Sequence, residues 1–400
     1  MKKLLTFLLV SAAISVSAQQ LINTGNHFPP VSIGPIINAP VHSFSINEDK
    51  GNRVYILNLW GTWCSPCIPE MDILAKLQDA NPNVLQVIAI SDDSPERLEK
   101  YLAKKPSKIW LASDTADFFY HAFGLVGVGQ SAIINSKHEI IAMVKTDSIN
   151  QQMINNLLKG NQIKSSANLK EQAVLGGKDL FGVDSTLAEN FTIRGYMKGQ
   201  RSMGQTYLAS PYFGRRVSYI NSCISVFYKD AYQISSSKQI IYEMDEKEAC
   251  NGDDKNSLYC LDLLVKREQK DSLNSIMQKK LQLMLPIKAR LTEKLMPVYV
   301  LKLNPAMRLN LSLSASEKLS YEFGGRGFKG TGVSTTDFAE VYLSNEFDLP
   351  VVDETGLKKR YDIHTVVDIR DLKNISKSIT DLGFVLEKAE RKMKVLVLYK

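Results

Sequence analysis

The chain has 400 residues, too many for one ordinary domain, and its 44% hydrophobic and 23% charged content excludes a disordered one. The net charge of +7 is mild and spread out. The short runs RKMK and KKRY sit among hydrophobic residues and read as solvated faces, which speaks against a nucleic-acid partner.

Residues 1–18 read as a secretory signal peptide: Lys2 and Lys3, an apolar core from Leu4 to Val10, then a small-x-small end at Val16-Ser17-Ala18. The core is too short to span a bilayer, and no later stretch is apolar enough for a membrane helix. The expectation is therefore export to the periplasm or cell envelope with no transmembrane anchor after cleavage. Residues 19–53 are a Pro- and Gly-rich lead-in. VYILNLW (54–60) reads as a buried central strand. PCIPEMDILAKLQDAN places Ile68, Met71, Ile73, Leu74 and Leu77 on one helical face. VLQVIAIS is a second buried strand, SPERLEKYLAKK a helix capped by Ser94, KIWLAS a short strand, and TADFFYHAFG a helix closed by Gly124. SAIINSKHEIIAMVK gives two strands and SINQQMINNLLKG a last helix. This alternation points to an α/β sandwich with a mostly parallel core sheet over 19–160.

Residues 161–195 are polar and small and read as a linker. Beyond it, 196–400 reads as an α+β accessory domain. VSYINSCISVFYKDAY and KDSLNSIMQKKLQLML look helical, while MPVYVLKL, LSLSAS and MKVLVLY look like strands. ISKSITDLGFVLEKAERKMKVLVLY reads as helix, strand, turn, strand. The recurrence of helix and strand hints at two similar halves.

The chemistry concentrates at LNLWGTWCSPCIPEM, where Cys64 and Cys67 stand two residues apart. Haem attachment requires His after the second Cys, and Ile68 is there. Zinc requires two further ligands, and Cys250 and Cys260 have the wrong spacing and lie in another domain. A structural staple is strained at a helix start. A redox dithiol fits the context: the strand delivers Trp63 and Cys64 to the carboxyl edge of the sheet, Pro66 suits the next helix's first turn, and Cys64 stands at that helix's N-terminus. The macrodipole there favours a thiolate, and thiol pKa values in such motifs fall to roughly 3.5–7.5. Cys64 is then the nucleophile and Cys67 the shielded, resolving thiol. No cofactor or metal is expected, because the Cys64–Cys67 pair itself carries the electrons.

The segment ILNLWGTWCSPCIPE resembles the active site of thioredoxin-like envelope proteins of the TlpA and ResA type, within the redoxin superfamily. Asn58, Trp60, Trp63, Cys64, Pro66, Cys67 and Glu70 match that pattern, and the resemblance covers about 30–160. It implies a thioredoxin fold, a mixed sheet flanked by helices, and disulfide reduction of exported protein thiols fed by an upstream electron donor. Asn58 stands where ordinary thioredoxins carry a buried Asp, so Glu70 is the candidate to serve Cys67; a plain helix-surface Glu is the equal alternative. Gly129 stands where the family has a cis-proline facing the dithiol. A non-proline cis bond costs about 3–4 kcal/mol, so this bond is expected to be trans.

The C-terminal region resembles a bacterial domain of unknown function found in exported soil-bacterial proteins, marked by VVDETGLKKRYD, and the resemblance implies no activity. Its DETG reads as a turn and its GGRGFKGTG as a flexible loop rather than a phosphate site. Cys250 and Cys260 flank a polar loop and are expected to form a local disulfide, leaving Cys223 a buried thiol. The leading expectation is an extracytoplasmic protein-disulfide reductase. The alternative is an envelope binding protein whose C-terminal domain docks a partner beside a weakly active redox domain.

Overall fold

The computed structural model describes residues 22–125, 127–165, 179–184, 186–200, 202–207, 209–252, 254–316 and 318–400. The expected leader at 1–18 and residues 166–178 of the expected linker lie outside these residues. Among the described residues no helix is long and apolar enough to cross a membrane.

The first domain runs β1 (Val54–Trp60), α1 (Cys67–Ala80), β2 (Leu85–Ser91), α2 (Pro95–Lys104), β3 (Trp110–Ser113), α3 (Phe118–Ala122), β4 (Gln130–Ile134), β5 (Ile140–Lys145) and α4 (Gln151–Leu158). The sheet order is β3-β2-β1-β4-β5. β1, β2 and β3 are parallel, and β4 and β5 add antiparallel pairs. The sheet is thus mixed, a thioredoxin-like arrangement, with β1 at its centre and buried along its whole length. The pleat divides β1 between two cores. Ile56 and Trp60 pack with α1, α2 and α4, while Tyr55, Leu57 and Leu59 pack with α3 and with Phe28, Ile33 and Ile46 of the lead-in. Within α1, Met71 and Leu74 are buried as the periodicity requires, but Ile73 is 47% exposed, because it falls off the stripe of Cys67, Met71, Leu74 and Gln78. Truncating Leu74 to Ala is expected to destabilise this core by about 2–5 kcal/mol.

The second region is an internal duplication. Its first half comprises β6 (Asn190–Gly195), β7 (Met203–Thr206), β8 (Arg216–Cys223), α5 (Ile224–Ala231), β9 (Ile240–Tyr242), α6 (Glu246–Ala249), β10 (Leu258–Leu264), α7 (Leu273–Met284) and β11 (Lys288–Leu303). The other half repeats the strands in the same order: β12 (Ser312–Leu313), β13 (Ser320–Gly324), β14 (Gly327–Val333), β15 (Val351–Asp353), β16 (Tyr361–His364) and β17 (Phe384–Tyr399). Its helices are a π-helix (Asp337–Leu343) running into α8 (Ser344–Glu346), and α9 (Leu372–Asp381). The outer sheets have orders β6-β10-β8-β7 and β12-β16-β14-β13. Between them β11 and β17 pair antiparallel over their full length, Lys288 opposite Tyr399 and Leu303 opposite Phe384. β15 joins β11 and β9 joins β17, both parallel, so each half lends its short strand to the other half's long one.

Several expectations are corrected here. Residues 190–195, read as the end of the linker, are β6 and pair with β10. VSYINSC is strand and the helix begins only at Ile224, because the earlier residues are claimed by ladders with β10 and β7. The C-terminal stretch has no turn: β17 is one strand, held straight by β11. The expected Cys250–Cys260 disulfide is absent. Cys250 is joined to Cys223, with Cα atoms 4.8 Å apart, and Cys260 is the buried free thiol. Strand register is the reason: Cys223 lies opposite Leu258 at the end of β8, where Cys250 arrives from α6, whereas Cys260 is carried further into the sheet and meets Asn221.

Candidate redox site

β1 delivers the chain to the carboxyl edge of the sheet, and a turn carries it into α1. The Cys64 amide donates to the Gly61 carbonyl (3.0 Å), and the Cys67 amide to the Cys64 carbonyl (3.1 Å). Pro66 is already helical (φ −67°, ψ −27°), so Cys67 is the first residue of α1 and Cys64 stands one turn ahead of it. The helix thus starts later than the spacing implies, and the pair stands at its N-terminal, positive end. Cys64 and Cys67 are joined in a disulfide with Cα atoms 5.3 Å apart. Cys67 is fully buried and Cys64 only 7% exposed.

Glu70 lies beside the pair. One of its carboxylate oxygens is buried without a hydrogen-bond partner. Burial, helped by the nearby Asp147 charge, pushes its pKa up from 4.5. Gly129 faces both groups: a Cβ there would lie 3.7 Å from the Glu70 carboxylate and 4.0 Å from the Cys67 sulfur. The cis peptides among the described residues precede Pro35 and Pro211, so the bond before Gly129 is trans. Gly129 takes φ +79° and donates its N–H to Leu59 (2.8 Å), neither of which proline can do. Glycine here therefore reflects a different backbone path, not a vacant proline site. Asn58 is buried and spent on the sheet: its carbonyl accepts from Thr146 (2.9 Å) and Ser131 (3.2 Å), and its amide meets the Met71 sulfur. It ties β1 to β4 and to the turn that follows β5, which leaves Glu70 as the carboxylate beside Cys67. The Trp63 indole donates to Asp92 (2.7 Å), while Trp60 packs edge-on against Tyr101.

Sequence reasoning missed a second layer. The backbone of Arg370 touches Thr62 (3.0 Å) and Ser65 (3.4 Å), on either side of Cys64. Arg326 pairs with Asp92 (2.9 Å) and Asp93 (3.0 Å), and its guanidinium lies 5.6 Å from the centre of the Trp63 ring. Asp93 is fully buried and also accepts from the Thr62 amide (2.7 Å), so it connects the dithiol turn to the second region. The one sequence signal was GGRGFKGTG. Gly325 within it packs so closely that a Cβ would fall 2.0 Å from the Trp63 carbonyl oxygen. The glycine is thus explained by contact with the dithiol turn, not by flexibility.

Two family models match separate parts of the chain. Residues 23–158 match the Redoxin family model. Residues 239–400 match a family described as a protein of unknown function (DUF3738). The thioredoxin-like protein YneN of Bacillus subtilis is 43% identical over 56 residues, 14% of this chain and 32% of its own length. Thiol-disulfide oxidoreductase ResA of Bacillus thuringiensis subsp. konkukian is 25% identical over 110 residues, covering 27% of this chain and 63% of that protein. The chain thus spans a third to under two thirds of these relatives. A solved DsbF homologue from Corynebacterium diphtheriae covers 35% of this chain and 90% of its own at 18% identity, with a TM-score of 0.28. The fold assignment rests on the strand order and the family match.

Proposed function

We propose that the protein is an extracytoplasmic thiol–disulfide oxidoreductase that reduces disulfides of exported proteins. The observation that carries this reading is the Cys64–Cys67 pair at the start of α1, with the Glu70 carboxylate beside it. In the reduced protein, the Cys64 thiolate attacks one sulfur of a substrate disulfide. A Cys64–substrate bond forms, the substrate S–S bond breaks, and the departing thiolate takes a proton. Cys67, giving its proton to Glu70, then attacks the Cys64 sulfur and expels the second substrate thiolate, which is protonated in turn. Two electrons pass to the substrate, and the Cys64–Cys67 disulfide remains. An upstream dithiol donor reduces it again. The leader-like residues 1–18 support export, and the resemblance to ResA supports the reducing direction.

The test is trapping. Cys67→Ser leaves Cys64 unable to resolve, so a mixed disulfide with an exported protein should accumulate and be identified by mass spectrometry. No adduct on Cys64, together with reduction of a test protein disulfide that survives Cys64→Ser, would falsify this reading.

A further inference from the structure

Thiol–disulfide exchange requires access to the attacking sulfur. A protein disulfide must approach Cys64 from outside, yet that approach is filled by the chain itself. The strap 367–371 crosses the dithiol turn. Its Arg370 N–H donates to the Thr62 carbonyl (3.0 Å) and its carbonyl accepts from the Ser65 hydroxyl (3.4 Å), so the strap backbone straddles Cys64. Ile369 of the strap is 1% exposed and belongs to the same apolar cluster as Cys64, Cys67 and Trp60. Two clefts of about 290 and 550 Å³ open on Trp63, and neither sulfur lines either one.

The strap is fastened to the redox domain at its rim. Lys104 pairs with Asp368 (3.0 Å), Arg97 donates to the Val367 carbonyl, and Arg326 holds Asp92 and Asp93. The Arg370 side chain forms a two-pronged pair with the nearly buried Glu346 (2.9 Å). The strap therefore belongs mechanically to the second region. A contact with one apolar plug and partly exposed ion pairs has the polar character of interfaces between domains that separate. Tethering makes it effective, because an intramolecular occupant acts at high local concentration.

We propose that the dithiol face is a docking surface for the chain's own strap, and that the strap and a protein substrate compete for it. This rests on the reading of Cys64 as the attacking thiol. When the second region is docked, macromolecular disulfides are excluded; when it lifts, Cys64 is exposed.

The test uses the full chain, reduced, with Arg326→Ala and, separately, Lys104→Glu. Lys104 is solvent-exposed and its reversal sets like charges against Asp368, so this variant keeps the fold even where loss of Arg326 does not. Two rates are measured: alkylation of Cys64 by iodoacetamide, followed by mass spectrometry, and reduction of insulin disulfides. Arg326→Ala should raise both by about tenfold and Lys104→Glu by about threefold, the effect of one or two lost ion pairs. Unchanged alkylation in both variants, with circular dichroism unaltered, overturns the proposal. Faster alkylation with slower insulin reduction also overturns it, since the second region would then be receiving the substrate. Faster alkylation with no insulin reduction in any form supports the docking and rejects the exchange chemistry instead.

Discussion

The protein carries two disulfides in two regions, and their surroundings differ more than their sulfurs do. Cys64–Cys67 stands at a sheet edge and helix start, with a carboxyl whose pKa burial raises and a glycine that brings the backbone close. Cys223–Cys250 joins the end of β8 to the end of the short helix α6 and closes a loop of sequence separation 27. The redox pair is also the more enclosed: Cys64 is buried under the strap, whereas Cys223 and Cys250 are only half-buried. Exposure alone would therefore pick the wrong pair. What sets the proposed exchanging pair apart is its neighbours, a helix start and a carboxylate.

Substitutions at either pair put this contrast at risk. The largest effect is expected from Cys64→Ser, which should abolish reduction of a test protein disulfide in an insulin turbidity assay. Removing the other pair by Cys223→Ser with Cys250→Ser should leave the Cys64–Cys67 chemistry intact. By loop entropy it should lower stability by about 3–4 kcal/mol, seen as a fall in the denaturant midpoint. Equal loss of activity in the two cases would erase the distinction. Gly129→Ala comes next. Its Cβ has room beside Glu70 and Cys67, so the cost is the left-handed backbone alone, about 1–2 kcal/mol in the same measurement.

Glu70→Gln is the smallest and most informative. A carboxyl whose folded pKa is raised stabilises the folded state fully below its unfolded pKa, and that contribution is lost as pH rises through the folded pKa. Glu70→Gln should therefore be more stable than the unmodified protein at neutral pH, with the difference vanishing below about pH 4. The resolving step should slow as pH falls through the raised Glu70 value, and Glu70→Gln should lose that dependence. A pH profile that is the same in both proteins would remove Glu70 from the exchange.

Much of the redox domain was legible because its information is local. Strand, turn, dithiol and helix succeed one another within LNLWGTWCSPCIPEM, and burial on both faces makes β1 a continuous apolar run. The position of Gly129 opposite Cys67 could be read from the resemblance, though not its φ of +79°, which no residue pattern announces. The second region was less legible. VSYINSC is apolar enough for helix or strand, and only its ladder partners decide. The pairing of Cys250 turned on strand register, which ten-residue spacing to Cys260 does not encode. The strap over Cys64 was out of reach altogether, since Ser65 and Arg370 are 305 residues apart in the chain. Only Gly325 left a trace in the sequence, and a glycine demanded by a distant carbonyl looks the same as one in a loose loop.

The most direct test is a graded reductive titration of the unmodified chain, with thiols labelled at each equilibrium poise and assigned by mass spectrometry. Cys64 and Cys67 should become labelled together at a mild poise, while Cys223 and Cys250 stay joined until much stronger reduction or unfolding. Opening of Cys223–Cys250 at the same or a milder poise would contradict the assignment of Cys64 and Cys67 as the exchanging pair.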